Sequence, residues 1–210
     1  PAFILVAILF VALALASIAL HELGHSYVAI RKGCRVREIT LMFMGGVAQM
    51  ENVPTRPRDE LLMAIAGPAV SIVLGSLVFV TGFRAFTLRW DGPGYFLMVL
   101  GGWNLFLAVF NLLPAFPMDG GRVLRSALTP KLGRLKATRM AARCGRILAV
   151  IFVIVGFTGV GLIPPNLALV VIGIFIYIAA GREYHAVRRH PGRRGWPFPD
   201  GVPPDIDEDT

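Results

Sequence analysis

Cysteine is nearly absent from the 210 residues. Cys34 and Cys144 stand alone, too few for a disulfide framework, and both fall in basic segments assigned below to the cytoplasm, where thiols stay reduced. Charge is scarce as well. Asp, Glu, Lys and Arg make up 16% of the chain against 55% hydrophobic residues, and the mean hydropathy is +0.66, which excludes an ordinary soluble domain. No basic n-region precedes the opening apolar run, so that run does not read as a secretory signal peptide. Internal repeats, inserted folded domains and an appended soluble domain are all lacking.

Five stretches are nearly free of charge: Ala2–Leu20, Leu61–Phe83, Gly94–Leu113, Ile147–Ile163 and Asn166–Ala180. A membrane-crossing helix needs about 20 apolar residues, so the chain reads as an all-α polytopic membrane protein with five visible spans. The last two are shorter, and Pro164-Pro165 between them predicts a tight helical hairpin. Residues 33–54 lack a helical stripe and alternate β-favouring residues around Gly45-Gly46, which predicts short membrane-associated strands with a bend after the first span. Residues 122–146 read either as an interfacial helix leading into the fourth span or as a solvated basic connector. From His190 the composition turns to Pro, Gly and charge. Residues 1–185 therefore read as one membrane domain and 186–210 as a disordered cytoplasmic tail.

The net charge of +8 could suggest nucleic acid, but its placement argues otherwise. Residues 31–60 carry six Lys or Arg, residues 114–146 eight and residues 181–210 five, leaving only Arg84 and Arg89 for the opposite side. The basic side is predicted to be cytoplasmic. Charges flanking apolar spans do not make a solvent-facing stripe, so no nucleic-acid partner is expected. The partner implied is the lipid bilayer.

His21-Glu22-Leu23-Gly24-His25 matches H-E-x-x-H, in which two histidines bind zinc and the glutamate between them is a general base. Positions 21 and 25 differ by only about 40° around a helix, so both imidazoles can reach one ion. Ionisable groups beside nineteen uncharged residues are costly unless mutually satisfied. The plain alternative is a pair of interfacial histidines closing a span. A catalytic zinc keeps three protein ligands, and the remaining candidates are Asp119, Glu183, His185, His190 and the cysteines. Asp119 stands out because Pro114, Pro117, Gly120 and Gly121 break the helix around it directly after an apolar span. Irregular backbone at that depth must line protein or water; a turn or capping aspartate is the other reading. Asn104 and Asn111 share a helix face and can bond a neighbouring helix or donate to a substrate carbonyl. Gly67-Pro68 with Ser71 reads as a packing and kink element.

HELGH, AGPAVS at 66–71 and GGWNLFLAVFNLLPAFPMDGGRVLR at 101–125 together resemble the site-2 protease family of intramembrane metalloproteases, in its compact archaeal and bacterial branch without a PDZ domain. The resemblance covers most of positions 1–185. It implies one zinc ion per chain held by His21, His25 and Asp119, general-base chemistry by Glu22 and transition-state support by Asn111. It also implies a strand near Gly45–Met50 that pairs with a single-span membrane-protein substrate, in a multi-pass protein of a prokaryotic cell membrane. Six spans are expected in that branch, so a span before Pro1 is expected as well. Two rival readings are a metal transporter using the same residues as a transit site and a catalytically silent protein that holds client helices.

Overall fold

A computed structural model describes residues 2–34, 36–42, 45–50, 56–161 and 164–189. Its first helix, α1 (Ala2–Arg31), runs without a break through the span and the HELGH motif. At 1.5 Å per residue that is about 45 Å, longer than the roughly 30 Å hydrocarbon core. The span does not stop at Leu20, because no helix breaker separates Leu20 from Arg31. The helix stops at Gly33, whose φ of 80° is open to glycine. There Gly33 N–H donates to Ile30 O and Cys34 N–H to Ala29 O, the paired bonds of a Schellman ending. The accompanying apolar contact is present too, since Ala29, Cys34 and Met63 pack together.

The strands expected after α1 exist. β1 (Val36–Met42) and β2 (Gly45–Met50) pair antiparallel, with Met42 opposite Gly45 and an irregularity between Val36 and Glu38. Gly45-Gly46 lies within β2 rather than at the bend, paired with Met42 and Leu41; positions 43–44 lie outside the described residues.

Helix α2 (Pro57–Thr87) begins with proline in its first turn, where the missing N–H is of no consequence. It packs against α1, against α3 (Asp91–Asn111) and against α4 (Asp119–Leu132). The α2–α3 contact is set by small residues. A Cβ on Gly101 would lie 2.5 Å from Phe79 N, and one on Gly82 would lie 2.6 Å from Met98 N. Between bilayer-embedded helices, where lipid is as apolar as leucine, such backbone approach supplies much of the association.

The 122–146 segment is helical and leads into the fourth span. It is divided between α4 and α5 (Arg134–Thr158), with the break at Gly133, φ 75°. Helix α6 (Leu167–Arg189) returns against α5 as the predicted hairpin, and their approach depends on Gly156 and Gly173, whose hypothetical Cβ atoms would meet Val170 and Ala149 O. The expected tail lies almost wholly beyond the described residues. Among those described, five helices are long and apolar enough to cross a membrane: α1, α2, α3, α5 and α6. The chain is a multi-pass integral membrane protein, and α4 is its one helix that does not meet the length and hydropathy of a span.

Replacing Gly101 by valine is expected to lower the thermal midpoint in detergent by at least about 5 °C, through overpacking against Phe79. Gly102→Val, with no atom within 4 Å of its Cβ position, should leave the midpoint within about 2 °C.

Candidate metal centre

His21 and His25 are both 3% exposed, and their rings meet edge to face. His25 Nδ1 lies 2.7 Å from Met63 O. A carbonyl oxygen has no proton to give, so Nδ1–H donates and Nε2 is left bare. His21 Nδ1 lies 2.9 Å from Ser71 Oγ, a hydroxyl able to accept from Nδ1–H and leave this Nε2 bare as well. The two Nε2 atoms then face each other at 3.2 Å, with Asp119 Oδ2 at 3.2 Å from the first and 3.1 Å from the second.

Three acceptor atoms thus form a nearly equilateral triangle. With each imidazole in its Nδ1–H tautomer, three lone pairs converge on one point. Atoms about 2.0–2.2 Å from a tetrahedral zinc stand roughly 3.3–3.6 Å apart, so the triangle matches one face of such a site to within a few tenths of an ångström. The donor set, two imidazoles and one carboxylate with each imidazole oriented through its other nitrogen, is also that of catalytic zinc. Glu22, half-buried on the same helix, brings a carboxylate oxygen within 4.8 Å of the histidine donors.

The donors come from two elements, α1 and α4, and a third, α2, supports the imidazoles. The i, i+4 spacing on α1 puts the two imidazoles on one face. Met63, Gly67 and Ser71 follow at the same interval on α2 and form the surface those imidazoles rest on. Gly67 is indispensable there, since a Cβ would lie 2.3 Å from His25 Nε2 and 2.7 Å from His21 Nε2. Gly24 lets α1 approach α2, its hypothetical Cβ being 2.9 Å from Ala66 O. Asp119 is the first residue of α4, reached through the irregular segment 112–118. Gly120 and Gly121 admit that segment, because their Cβ positions would strike Leu113 O and the Ala115 carbonyl carbon. Asp119 has no capping hydrogen bond to its own helix among those described, so its carboxylate serves the imidazoles and not the turn.

The Asp119 carboxylate also faces a buried cation. Arg122 Nη1 stands 3.7 Å from Oδ1, the oxygen turned away from the triangle.

Other candidates go elsewhere. Glu183 pairs with Arg125 Nη1, His185 stacks obliquely beside Tyr184, Cys34 packs with Ala29 and Met63, and His190 lies outside the described residues. Asn111 Nδ2 donates to Leu107 O and Asn104 Nδ2 to Leu100 O, each one turn back on α3.

Composition gave no warning of a second buried polar group. Arg125, 2% exposed, donates through Nε to Glu60 Oε1 at 2.9 Å, through Nη2 to the same oxygen, and through Nη1 to Glu183. Arg134 reaches Glu60 Oε2 at 3.3 Å, and the Phe116 ring lies under Arg125. These residues join α2, α4, α5, α6 and the 112–118 segment. Burial would lower the Arg125 pKa, but Glu60 and Glu183 reverse that and raise it. The solvated basic connector expected from sequence is thus wrong for Arg122 and Arg125, whose charges are matched inside the protein. The available signal was Glu60 three residues before Met63, on the face that includes Gly67 and Ser71.

The model of peptidase family M50 matches residues 9–90 and 85–155. The chain belongs to peptidase family M50. This M50 chain is 41% identical over 181 residues to a zinc metalloprotease of Methanocaldococcus jannaschii, covering 86% of the chain and 50% of that protein. It is 37% identical over 177 residues to the putative zinc metalloprotease Rip3 of Mycobacterium tuberculosis, covering 80% and 44% respectively. It spans about half the length of these curated relatives. The solved site-2 protease from Methanocaldococcus jannaschii superposes with a TM-score of 0.64 at 36% identity, over 87% of each chain. The site-2 protease resemblance read from the three motifs is therefore borne out.

Two outcomes follow. Gly67→Ala should purify as a folded protein yet lose stoichiometric zinc in metal analysis, because the methyl occupies the space beside both donor nitrogens. Arg125→Met should destabilise by about 3 kcal/mol, measured by denaturation in mixed micelles, since it removes the main partner of buried Glu60 and leaves Arg134 at 3.3 Å as its remaining cation.

Proposed function

We propose that this M50 chain is a zinc metalloprotease that hydrolyses peptide bonds within or near membrane-spanning segments of other proteins. The observation that carries this reading is the Nε2, Nε2, Oδ2 triangle with Glu22 beside it. In the proposal His21, His25 and Asp119 are the ligands. A zinc ion at this position would polarise a peptide carbonyl and acidify water.

Glu22 is the base. Its carboxylate takes a proton from the attacking water and later delivers it to the leaving amine nitrogen. Met63 O and the Ser71 hydroxyl fix the imidazole planes, so that no donor must reorient during the reaction. Asn111 is proposed to stabilise the developing oxyanion, exchanging Leu107 O for the substrate oxygen as charge appears.

Peptide bonds in a membrane helix are shielded by their own hydrogen bonds, so a substrate must unwind before attack. The β1–β2 hairpin offers a route, because a two-stranded ladder leaves outward backbone groups on which an extended segment can pair. The active site is proposed to face the cytoplasm. Following the helices in order brings residues 31–56, 112–133 and the end of α6 to one side, and these carry the large basic excess. A transport reading is less well supported: among the described residues one group of His, Cys, Asp and Glu is poised for a metal, whereas a pathway needs successive stations.

Glu22→Gln should keep its zinc while cleavage of a single-span reporter in proteoliposomes falls by at least about 100-fold. Undiminished turnover would remove Glu22 from the mechanism, and zinc flux without hydrolysis would replace the protease reading with transport.

A further inference from the structure

Arg146 is the last charged residue of α5; none of the residues from Ile147 to Thr158 that complete the helix is charged. It therefore stands where the basic end of the α5–α6 hairpin gives way to its membrane-embedded part. Its guanidinium carbon lies over the Tyr177 ring, 5.5 Å from the centroid, and its Nε is buried without a hydrogen-bond partner. Arg139, two turns before it, is engaged by the Tyr184 hydroxyl at 2.9 Å. For Arg143, Arg146 and Arg182 no carboxylate partner exists among the described residues. A cation at this boundary reaches the headgroup layer, where an anionic group can accompany it.

Next to Arg146 the two helices leave a groove of about 190 Å³, lined by Ala149, Val153, Ile154, Gly173, Ile174 and Tyr177 among others. The lining is aliphatic except at Tyr177, the residue that also touches Arg146. Ile154 and Ile174 are about half-exposed, 54% and 50%, so the groove opens outward to the bilayer. Arg139, Arg143, Arg146, Val150 and Val153 recur at helical intervals and share one face of α5. From Arg146 to Ile154 that face extends about 12 Å, most of the roughly 15 Å depth of one leaflet's hydrocarbon.

A cationic head position joined to an apolar channel running into the leaflet has the shape and polarity of a phospholipid. We propose that the α5–α6 seam binds one anionic phospholipid, its phosphate on the Arg146 guanidinium with Arg143 beside it and an acyl chain in the groove. The planar fork of arginine suits phosphate oxygens, and the net charge of the headgroup distinguishes an anionic lipid from a zwitterionic one with the same tails. The site is separate from the metal centre and does not depend on the proposed activity.

The test is native mass spectrometry of the full chain in detergent with equimolar phosphatidylglycerol and phosphatidylcholine of matched acyl chains. Phosphatidylglycerol should be retained about fivefold over phosphatidylcholine, the factor expected for one arginine at the membrane surface. Arg146→Gln should bring the ratio close to one, and Arg146→Lys should restore part of it. Ile154→Trp, at a lipid-facing position that tolerates a large side chain, should reduce retention of both lipids by filling the groove while Arg146 stays in place. Equal retention by the wild-type chain, an unchanged ratio in Arg146→Gln, or unchanged retention in Ile154→Trp would overturn the proposal. So would displacement of the lipid by soluble glycerol phosphate at equal concentration, which would mark a site for a free anion.

Discussion

Lone pairs aimed at one point repel one another unless a cation lies between them, and the triangle that α1 and α4 form sets this constraint for the residues around it. Met63 O commits His25 to the Nδ1–H tautomer, and Ser71 gives His21 the same opportunity. The Asp119 carboxylate, with Arg122 Nη1 3.7 Å from its other oxygen, completes the convergence. Two imidazoles and a carboxylate at 3.1–3.2 Å are therefore the group proposed to hold the metal, and the helices around them are arranged to maintain it. The backbone of α2 is the support on which both imidazoles rest, which is why Gly67 has no side chain to offer.

Holding Asp119 in that cavity is a separate problem. It sits on α4, which is short, is not itself a span, and follows seven irregular residues. The Arg125 network fixes α4 by hooking it to Glu60 on α2 and Glu183 on α6, and Arg134 on α5 joins it through Glu60. Buried ion pairs of this kind add little net stability over well-packed apolar residues. Their contribution here is directional: a guanidinium fork satisfied by two carboxylates defines where α4 must lie, whereas leucine contacts would allow it to slide. Glu60 and the imidazole-holding residues Met63 and Ser71 share one helix, so the anchor of α4 and the support of the histidines move as a unit.

The same economy of side-chain volume recurs between the spans. Glycine brings α2 against α3 and α5 against α6 where bulk apolar burial cannot distinguish protein from lipid. The result is a bundle in which the centre is polar and charged, the helix contacts are small, and the large aliphatic residues face outward.

Local pattern was enough to read the spans, because uninterrupted apolar length and helical periodicity are properties of consecutive residues. It was enough for HELGH too, since one turn of helix alone aligns His21 with His25, and the prolines and glycines around Asp119 declared the broken backbone that carries it. The metal-facing role of Gly67 and the roles of Ser71, Met63 O and Arg125 were not legible. Each acts on a residue 38 to 65 positions away, and in sequence each has an ordinary alternative as a packing glycine, a helix serine, a helical carbonyl or a surface arginine. Such contacts exist only once the helices have packed, so their meaning comes from distance in space and not from spacing along the chain.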